Sequence, residues 1–307
     1  MFFRGGYIMR VLVSDKFPSE PVEKMKKAGL DVTVKTGMTP QELESAIGQF
    51  DVIIIRSATK VTKNIIDAAK NLKLIVRAGV GLDNVDVEYA KSKKIQVRNT
   101  PTATSISVAE LTLGLMLACV RFIPRADASM KKGEWEKKAF EGTELYGKTL
   151  GIIGIGRIGQ EVSKRARAFG MNVIAYDPYL PQGSDVKLVS FDELLSKSDF
   201  ISLHVPLTDE TKNMINDETL SKMKKGVIII NCSRGGVVSE SALLKALNED
   251  KVAKAGVDVY EKEPPLNYEL AKHPNVIATP HLGASAEEGQ LRAGNEATDI
   301  VIEFAKK

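Results

Sequence analysis

The stretch that decides the fold is TLGIIGIGRIGQEVSKRARAF, residues 149–169. An apolar strand runs directly into three spaced glycines, and a segment of helical period follows. Gly154 permits a tight turn, Gly156 lets the backbone approach a pyrophosphate, and Gly159 allows close packing of helix on strand. The helix start also offers free amides and a favourable dipole to an anion. The stretch therefore predicts a dinucleotide-binding strand, turn and helix.

An acidic residue at the end of the next predicted strand supports this interpretation. Asp177 stands where a carboxylate can accept hydrogen bonds from both hydroxyls of an adenosine ribose. It would repel a 2'-phosphate, so we expect NAD rather than NADP. The competing interpretation is that the glycines only form a turn and that Asp177, which precedes Pro178, caps a loop.

Short runs rich in valine and isoleucine alternate with helical stretches on both sides of this motif. That alternation is typical of an α/β fold with parallel sheets covered by helices. We expect five strands in the first half, at residues 9–15, 31–35, 52–57, 72–77 and 95–99. Six strands are expected in the second series, near Ile152, Val173, Ile201, Ile229, Val257 and Ile277, which suits a dinucleotide fold.

The second sheet is complete before the chain ends in a helical stretch at residues 286–305, which could return to the first domain. Domain boundaries are therefore expected near Pro101 and Gly283. The predicted architecture is a Rossmann NAD-binding domain, residues 101–283, inserted into a flavodoxin-like substrate domain, residues 1–100 plus 284–307.

Composition narrows the classes of partner. Basic residues (43) barely outnumber acidic ones (39) and both signs are dispersed, which argues against nucleic acid. The apolar run at 106–120 contains Glu110 and is shorter than the roughly 20 residues that span a bilayer, so it predicts a buried helix. Cys119 and Cys232 indicate reduced thiols in a cytoplasmic protein, with no metal site. Residues 1–7 lack signal-peptide features, which indicates a short extension.

Three later segments follow predicted strands, where ligands collect in parallel sheets: NCSRGG at 231–236, GVDVYEKEPP at 256–265 and TPHLGAS at 279–285. Reduction of a 2-oxo acid needs a cation for the carboxylate, a proton donor for the carbonyl oxygen, and a group that keeps the donor charged. The guanidinium group of Arg234 offers a planar fork of N–H donors that can bind the carboxylate. His281 has a reference pKa of about 6.5, and a carboxylate such as Glu263 would favour its protonated form. The same pair would act as base in the oxidative direction.

Other interpretations of these side chains stay open. His204 ends a predicted strand near the expected nicotinamide half, whereas His273 lies in a Lys-His-Pro-Asn turn and is expected to be solvated. Arg234 could form a surface ion pair, Glu263 could be a loop charge before proline, and His281 could be an ordinary strand-end side chain.

Further segments carry a family resemblance: RSATKVT at 56–62, RAGVGLDNVD at 77–86 and GTELYGKT at 142–149. Over nearly its whole length the chain resembles the D-isomer-specific 2-hydroxyacid dehydrogenases, and most closely the members that oxidise 3-phosphoglycerate. The resemblance implies that Arg234, Glu263 and His281 are catalytic and that Asp258 binds the nicotinamide carboxamide. It also places these residues around the dinucleotide: Val80, Arg157, Ile158, His204, Val205, Pro206, Cys232, Ser233, Gly283 and Ala284.

For the substrate, the resemblance implies that the backbone amides of Val80 and Gly81 hold the carboxylate, with Arg56 and Ser57 nearby. Arg56 follows a strand of the first domain, where it would face the interdomain cleft and the substrate phosphate. The alternative is a simple surface arginine. A further basic contact is expected from a neighbouring subunit, where Lys137 supplies a point charge rather than a fork.

The implied reaction is the NAD-dependent oxidation of 3-phosphoglycerate to 3-phosphohydroxypyruvate in L-serine biosynthesis. A glyoxylate or hydroxypyruvate reductase is the alternative enzyme, and an NAD-sensing corepressor is the alternative outside enzymes. Formate dehydrogenase is disfavoured because it is expected to carry glutamine at Glu263.

Two expectations concern assembly and regulation. Gly114 and Ala118 lie four apart on the apolar helix at 105–121, which suits a homodimer interface or plain core packing. Large family members carry a C-terminal region that binds serine, and this sequence stops at Lys307, so no feedback inhibition by serine is expected.

Overall fold

The computed structural model describes residues 7–179 and 185–306. The chain divides into two compact units, Met1–Thr104 together with Ala284–Lys307, and Ser105–Gly283. Each unit has its own parallel sheet. The α/β fold class expected from the sequence is confirmed.

The first unit is built on a five-stranded sheet of order β2-β1-β3-β4-β5, all parallel. This is the flavodoxin-like strand order. Its elements are β1 (Arg10–Val13), α1 (Ser19–Lys27), β2 (Asp31–Val34), α2 (Pro40–Ile47), β3 (Val52–Ile55), α3 (Lys63–Ala68), β4 (Leu74–Arg77), α4 (Val87–Ser92) and β5 (Gln96–Asn99). The apolar runs of β3 and β4 are buried because helices cover both faces of the sheet.

The second unit carries a longer series of elements: α5 (Ser105–Arg121), α6 (Ile123–Lys131), a 3-10 helix (Lys137–Phe140), β6 (Thr149–Ile153), α7 (Arg157–Ala168), β7 (Asn172–Tyr176), β8 (Lys187–Leu188), α8 (Phe191–Lys197), β9 (Phe200–Leu203), α9 (Asp217–Lys222), β10 (Val227–Asn231), α10 (Glu240–Asn248), β11 (Val252–Val257), α11 (Glu269–Lys272) and β12 (Val276–Ala278). Its sheet has seven strands in the order β12-β11-β10-β9-β6-β7-β8. The strand order reverses beside β6, which makes this the switch point where Rossmann folds bind dinucleotides.

The expectation of six strands in this unit was one short. The extra strand, β8, is a two-residue edge strand that pairs with β7 through Ile174 and Ala175. Two residues show no alternation, so no periodic signal marks them in the sequence.

The last helix, α12 (Glu287–Ala305), belongs to the first unit. Its buried face includes Ala293, Ala297 and Val301, which pack with the core residues of β1 and β4. The final segment therefore follows the NAD-domain sheet in sequence and completes the other core in space.

Helix α5 occupies the range expected for the apolar run, and most of its residues are buried against α7, β10 and β11. No single helix in the described ranges is long and apolar enough to cross a membrane. Helices α5 and α6 reach that length and composition only together, as a pair bent by 64°.

Candidate active site

The carboxyl ends of six strands of the second unit lie in one row along a single edge of the sheet. The strand register pairs their last residues as direct neighbours. From β7 to β12 across the sheet these residues are Tyr176, Ile153, Leu203, Asn231, Val257 and Ala278. The glycine turn directly follows Ile153, and Arg234, Glu263 and His281 each lie three to six residues after a member of this row. Parallel pairing therefore brings segments that are distant in sequence to the same edge.

The glycine turn has little room for side chains. Gly154 has φ +88°, and a Cβ there would lie 2.7 Å from the carbonyl oxygen of His204. A Cβ on Gly159 would overlap the carbonyl oxygen of Gly154, whereas one on Gly156 would meet nothing. The open space lies where α7 begins, and Gly156 brings no side-chain cap to that helix start. The turn thus leaves a cradle that a pyrophosphate fits.

Asp177 is half-buried beside this turn. Its Oδ2 accepts from the backbone amide of Ile155 at 3.0 Å, and Oδ1 accepts from that of Tyr179 at 3.0 Å. An ionised carboxylate has about four acceptor positions, so it can still accept ribose hydroxyls. At the start of α7, Arg157 is exposed and Ile158 is half-buried. These residues fit a dinucleotide with a free 2'-hydroxyl.

His204 follows β9 and is excluded as the acid by its environment. Burial lowers its pKa to about 3, so the imidazole is neutral. Its Nε2 lies 2.8 Å from Ser202 Oγ, and Nδ1 has no hydrogen-bond partner among the described residues. Of the next two residues, Val205 is half-buried and Pro206 is exposed. A neutral, half-buried imidazole at this edge suits a wall of the cofactor site.

The other two histidines differ in their partners. His273 is half-buried, and its Nδ1 accepts from the backbone amide of Asn275 at 3.2 Å, so the expected solvated turn is partly covered. His281 Nδ1 lies 2.7 Å from Glu263 Oε2, and the two side chains are 46% and 40% exposed. The structure therefore pairs one histidine with the carboxylate chosen from the sequence.

The pairing shifts both pKa values toward the charged forms. The hydrogen bond to Glu263 raises the pKa of His281, against the opposing effect of burial, and the charges of Glu263 and Asp258 add to the rise. Burial acts to raise the pKa of Glu263, but the hydrogen bond and charge of His281, the Tyr260 amide and Arg234 together hold it below its usual value. His281 is thus a poised proton donor and acceptor.

Arg234 stands close enough for its charge to act on both members of the pair, opposing protonation of His281. Its Nη1 donates to the carbonyl oxygen of Ser233 at 2.7 Å. Asn231 Nδ2 donates to the Arg234 carbonyl at 3.1 Å and fixes the turn after β10. Cys232 and Ser233 in this turn are buried, and burial raises the pKa of the Cys232 thiol to about 12. The turn therefore presents a cation and an inert thiol.

Asp258 is fully buried and holds the segment that carries His281. Its Oδ1 accepts from Thr279 Oγ1 at 2.6 Å and from the Leu282 amide at 2.7 Å. Its Oδ2 accepts from the Gly283 amide at 2.8 Å. His281 itself has φ +55°, a conformation that non-glycine residues seldom adopt unless the surroundings impose it. The carboxylate thus acts first as a clamp for the turn.

Four of the seven candidate substrate residues lie in the first unit, and Arg234, His281 and Lys137 lie in the second. Arg56 is half-buried: its Nη1 donates to the Lys16 carbonyl at 3.1 Å and to Gln290 Oε1 at 3.3 Å. Burial lowers its pKa, against the charge of Asp15. The backbone amide of Arg56 donates to the Asp15 carboxylate, and the backbone carbonyl of Arg56 accepts from Asn84 Nδ2 at 2.7 Å. The loop that starts at Arg56 is therefore held at both backbone groups.

The remaining predicted positions have simple environments. Ser57 is exposed, and Val80 and Gly81 are half-buried after β4. Val80 and Ala284 fall in the first unit, unlike the other cofactor positions. Lys137 is exposed at the start of the 3-10 helix. Over residues 7–179 and 185–306, no group of three or more His, Cys, Asp or Glu side chains could hold a metal ion.

Comparison with known families decides the class of protein. The model of the D-isomer-specific 2-hydroxyacid dehydrogenase NAD-binding domain matches residues 113–283. The chain belongs to this dehydrogenase family. The matched segment contains the glycine turn, Asp177 and all three candidate catalytic residues, and it makes NAD the cofactor of the domain.

Individual relatives extend the likeness to nearly the whole chain. The chain is 52% identical to D-3-phosphoglycerate dehydrogenase of Methanocaldococcus jannaschii over 98% of its own length and 57% of that protein. It is 53% identical to hydroxypyruvate reductase of Thermotoga maritima over 95% of its own length and 97% of that protein. The TT0316 protein of Thermus thermophilus is a similar solved structure, with 36% identity and a TM-score of 0.90 over 97% of this chain and 98% of that one. The chain thus spans just over half of the first relative.

Some residues of this dehydrogenase site were not found from the sequence. Tyr260 donates its backbone amide to Glu263 Oε1 at 3.2 Å and its hydroxyl to the Thr279 carbonyl at 3.1 Å, so it ties two catalytic segments together. Gln290 on α12 contacts Arg56. No spacing rule marks either residue, because the contacts of Tyr260 with Thr279 and of Gln290 with Arg56 join positions that only the fold brings together.

Proposed function

We propose that the protein is an NAD-dependent dehydrogenase that oxidises 3-phosphoglycerate to 3-phosphohydroxypyruvate, a step toward L-serine. The observation that carries the proposal is the 2.7 Å hydrogen bond between His281 and Glu263 at the edge of the sheet that holds the glycine turn. Family membership supports the chemistry, and the identity to the Methanocaldococcus jannaschii enzyme supports the phosphorylated substrate.

His281 moves the proton in this account. Because Nδ1 is engaged by Glu263, the tautomer with Nδ1–H leaves Nε2 to accept the proton of the substrate hydroxyl. The carboxylate stabilises the imidazolium that forms, and reduction reverses the transfer. NAD, when bound, supplies the hydride acceptor at the substrate carbon. Arg234 binds the substrate carboxylate and polarises the neighbouring carbonyl.

Arg56 is the residue that we assign to the substrate phosphate. Its Nη1 is used by Lys16 and Gln290, which fixes the guanidinium plane and leaves other N–H donors for an anion. Lys137 of a neighbouring subunit would add a second positive charge. The alternative is a hydroxypyruvate or glyoxylate reductase, which has no phosphate to bind. The nearly full-length match to the Thermotoga maritima enzyme favours it as the second candidate.

The test is NADH formation with 3-phosphoglycerate and with D-glycerate, in the wild type and in Arg56→Gln. We expect 3-phosphoglycerate to be preferred, and the variant to raise its KM while leaving the KM of D-glycerate nearly unchanged. A preference for unphosphorylated substrates, with Arg56→Gln acting equally on both, would establish the reductase instead. Tight NADH binding without turnover of any 2-hydroxy acid would favour the corepressor.

We further propose that the protein forms a homodimer and functions in the cytoplasm. Large apolar side chains stand exposed on α6, at Ile123 and Met130, and in the segment between α6 and β6, where Trp135 is 79% exposed and Tyr146 is also exposed. Most residues of α5 are buried in the core of the unit, whereas Gly114 is exposed and Ala118 is half-buried. Gly114 and Ala118 themselves therefore offer only a small open surface to a second subunit. Light scattering of the purified protein tests the assembly, since a monomer at micromolar concentration contradicts it. The free, buried cysteines support a reducing compartment.

A further inference from the structure

In two glutamates of the second unit, the backbone amide of each donates a hydrogen bond to the side-chain carboxylate of the other. The amide of Glu261 donates to Glu240 Oε1 at 2.7 Å, and the amide of Glu240 donates to Glu261 Oε1 at 3.0 Å. Glu240 is the first residue of α10, shortly after the turn of Arg234, and Glu261 lies two residues before Glu263. The exchange therefore joins the segments that carry two catalytic side chains.

This reciprocal arrangement opposes the natural tendency of two carboxylates to separate. Glu240 is half-buried: burial raises its pKa, the hydrogen bond from the Glu261 amide lowers it, and the charge of Glu261 raises it again. The Glu261 carboxylate sits on the first amide of α10, where the helix dipole favours an anion. The two amides offset the repulsion, so the pair fixes the backbone of both segments rather than leaving two mobile surface side chains.

The backbone contact beside the pair shows how tightly the segments meet. A Cβ on Gly235 would overlap the carbonyl oxygen of Tyr260, so only glycine allows this approach. The amide of Tyr260 donates to Glu263 Oε1 at 3.2 Å, and Glu263 Oε2 in turn meets His281. The loop at 260–263 is therefore held by α10 on one side and presents Glu263 on the other.

We propose that Glu240 and Glu261 are positioning residues, which hold the loop at 260–263 so that Glu263 meets Nδ1 of His281. The inference rests on the proposed function only in naming this pair as the acid and base. Its physical content is that the geometry of Glu263, and with it the protonation of His281, depends on an acceptor oxygen at residue 240 that holds the Glu261 amide.

Direct electrostatics is not the main source of this dependence. The largest charge effects on His281 come from Glu263, Asp258 and Arg234, and those on Glu263 come from His281 and Arg234. Glu240 is not among these leading groups. A substitution that removes its charge but keeps its acceptor oxygen should therefore spare the pair, whereas one that removes the acceptor should loosen it.

The test compares Glu240→Ala with Glu240→Gln. The alanine variant is expected to lower kcat about tenfold or more, because small displacements of catalytic groups carry large costs. It should also move the limb of the pH profile that belongs to His281 to lower pH, with NADH affinity unchanged. The glutamine variant, which still accepts from the Glu261 amide, should restore most of kcat and the profile.

Asn216→Ala is the matched control, because Asn216 accepts from the Thr219 amide at the start of α9 in the same unit. It should lower Tm without moving the pH profile. If Glu240→Ala likewise lowers Tm but leaves kcat and the pH profile unchanged, Glu240 is merely a helix cap and the proposal is overturned. If Glu240→Ala does not fold, Glu261→Ala removes the other hydrogen bond of the exchange, from an exposed position, and should shift the pH profile in the same direction.

Titration of the imidazole resonances by NMR separates this proposal from the proposed function, because it needs no substrate. The chain has only three histidines, so His281→Asn assigns the signal. We expect Glu240→Ala to lower the pKa of His281 whether or not 3-phosphoglycerate is turned over. An unchanged His281 titration in Glu240→Ala contradicts the positioning role, whatever the substrate is.

Discussion

Replacement of Glu263 by glutamine removes one charge while keeping the size of the side chain. In the wild type, Glu263 Oε2 contacts His281 Nδ1 at 2.7 Å, and the same carboxylate is held by the Tyr260 amide. Glutamine can still occupy this position through its carbonyl oxygen. The variant therefore isolates the contribution of the negative charge to the protonated imidazole.

The size of the effect follows from the distance and the exposure of the pair. Two unit charges about 4 Å apart interact by about 1 kcal/mol in bulk water and by about 4 kcal/mol near a protein surface. Because both side chains are more than a third exposed, solvent screening brings the value toward the lower figure. A loss of about 1 to 2 kcal/mol in stabilising the imidazolium corresponds to about a five- to thirtyfold fall in rate.

The sign of the pH dependence also follows. The hydrogen bond to Glu263 raises the pKa of His281 in the folded protein, so its loss lowers that pKa toward the ordinary value. Reduction uses protonated His281, so its activity should fall off at lower pH in Glu263→Gln than in the wild type. Oxidation uses neutral His281, so its rising limb should also begin at lower pH.

The assay is steady-state kcat/KM for oxidation and for reduction across pH 5 to 10, which extends about 1.5 units below and about 3.5 units above the reference pKa of histidine. NADH affinity, followed by fluorescence, serves as the control and should not change. A Glu263→Gln enzyme with wild-type rate and unshifted limbs would refute the assignment of Glu263 as the partner that charges His281.

Three further substitutions test other parts of the account. Gly235→Ala should destabilise the second unit by about 1 to 3 kcal/mol, seen as a lower Tm, because the new methyl group meets the backbone of Tyr260; an unchanged Tm contradicts the close approach. Asp177→Ser should weaken NADH binding and reduce discrimination against NADPH, measured by fluorescence titration of both cofactors; retained discrimination would remove Asp177 from that role. Asp258→Ala should cost several-fold in kcat and about 1 to 3 kcal/mol or more of stability, because three donors lose their acceptor; full activity contradicts the clamp.

The fold was predictable because its strands carry their own signal. Runs such as Val52–Ile55 and Val227–Asn231 are buried throughout, so they stand out as continuous apolar segments between helical stretches. Local motifs carry a similar signal: Thr39 and Glu42, three residues apart at the start of α2, form a capping box with both of its hydrogen bonds present. The short edge strand β8 was missed because Lys187 and Leu188 offer neither length nor alternation.

The sequence pointed to the candidate site residues, but not to the hydrogen bonds that hold their loops in place. The glycine turn and the segments around Arg234, Glu263 and His281 follow strands, and a parallel sheet places such segments together. The three hydrogen bonds of Asp258 and the exchange between Glu240 and Glu261 depend on how loops meet after folding. Loop contacts have no period in sequence, so these hydrogen bonds emerged only from the structure.

The most direct test of the account is turnover and NADH binding of His281→Asn, measured side by side on the same preparation. Positioned proton transfer contributes about a hundred- to ten-thousandfold, so we predict a fall of that order in kcat with NADH affinity within a few-fold of the wild type. Turnover close to that of the wild type would contradict the claim that the His281–Glu263 pair performs the proton transfer.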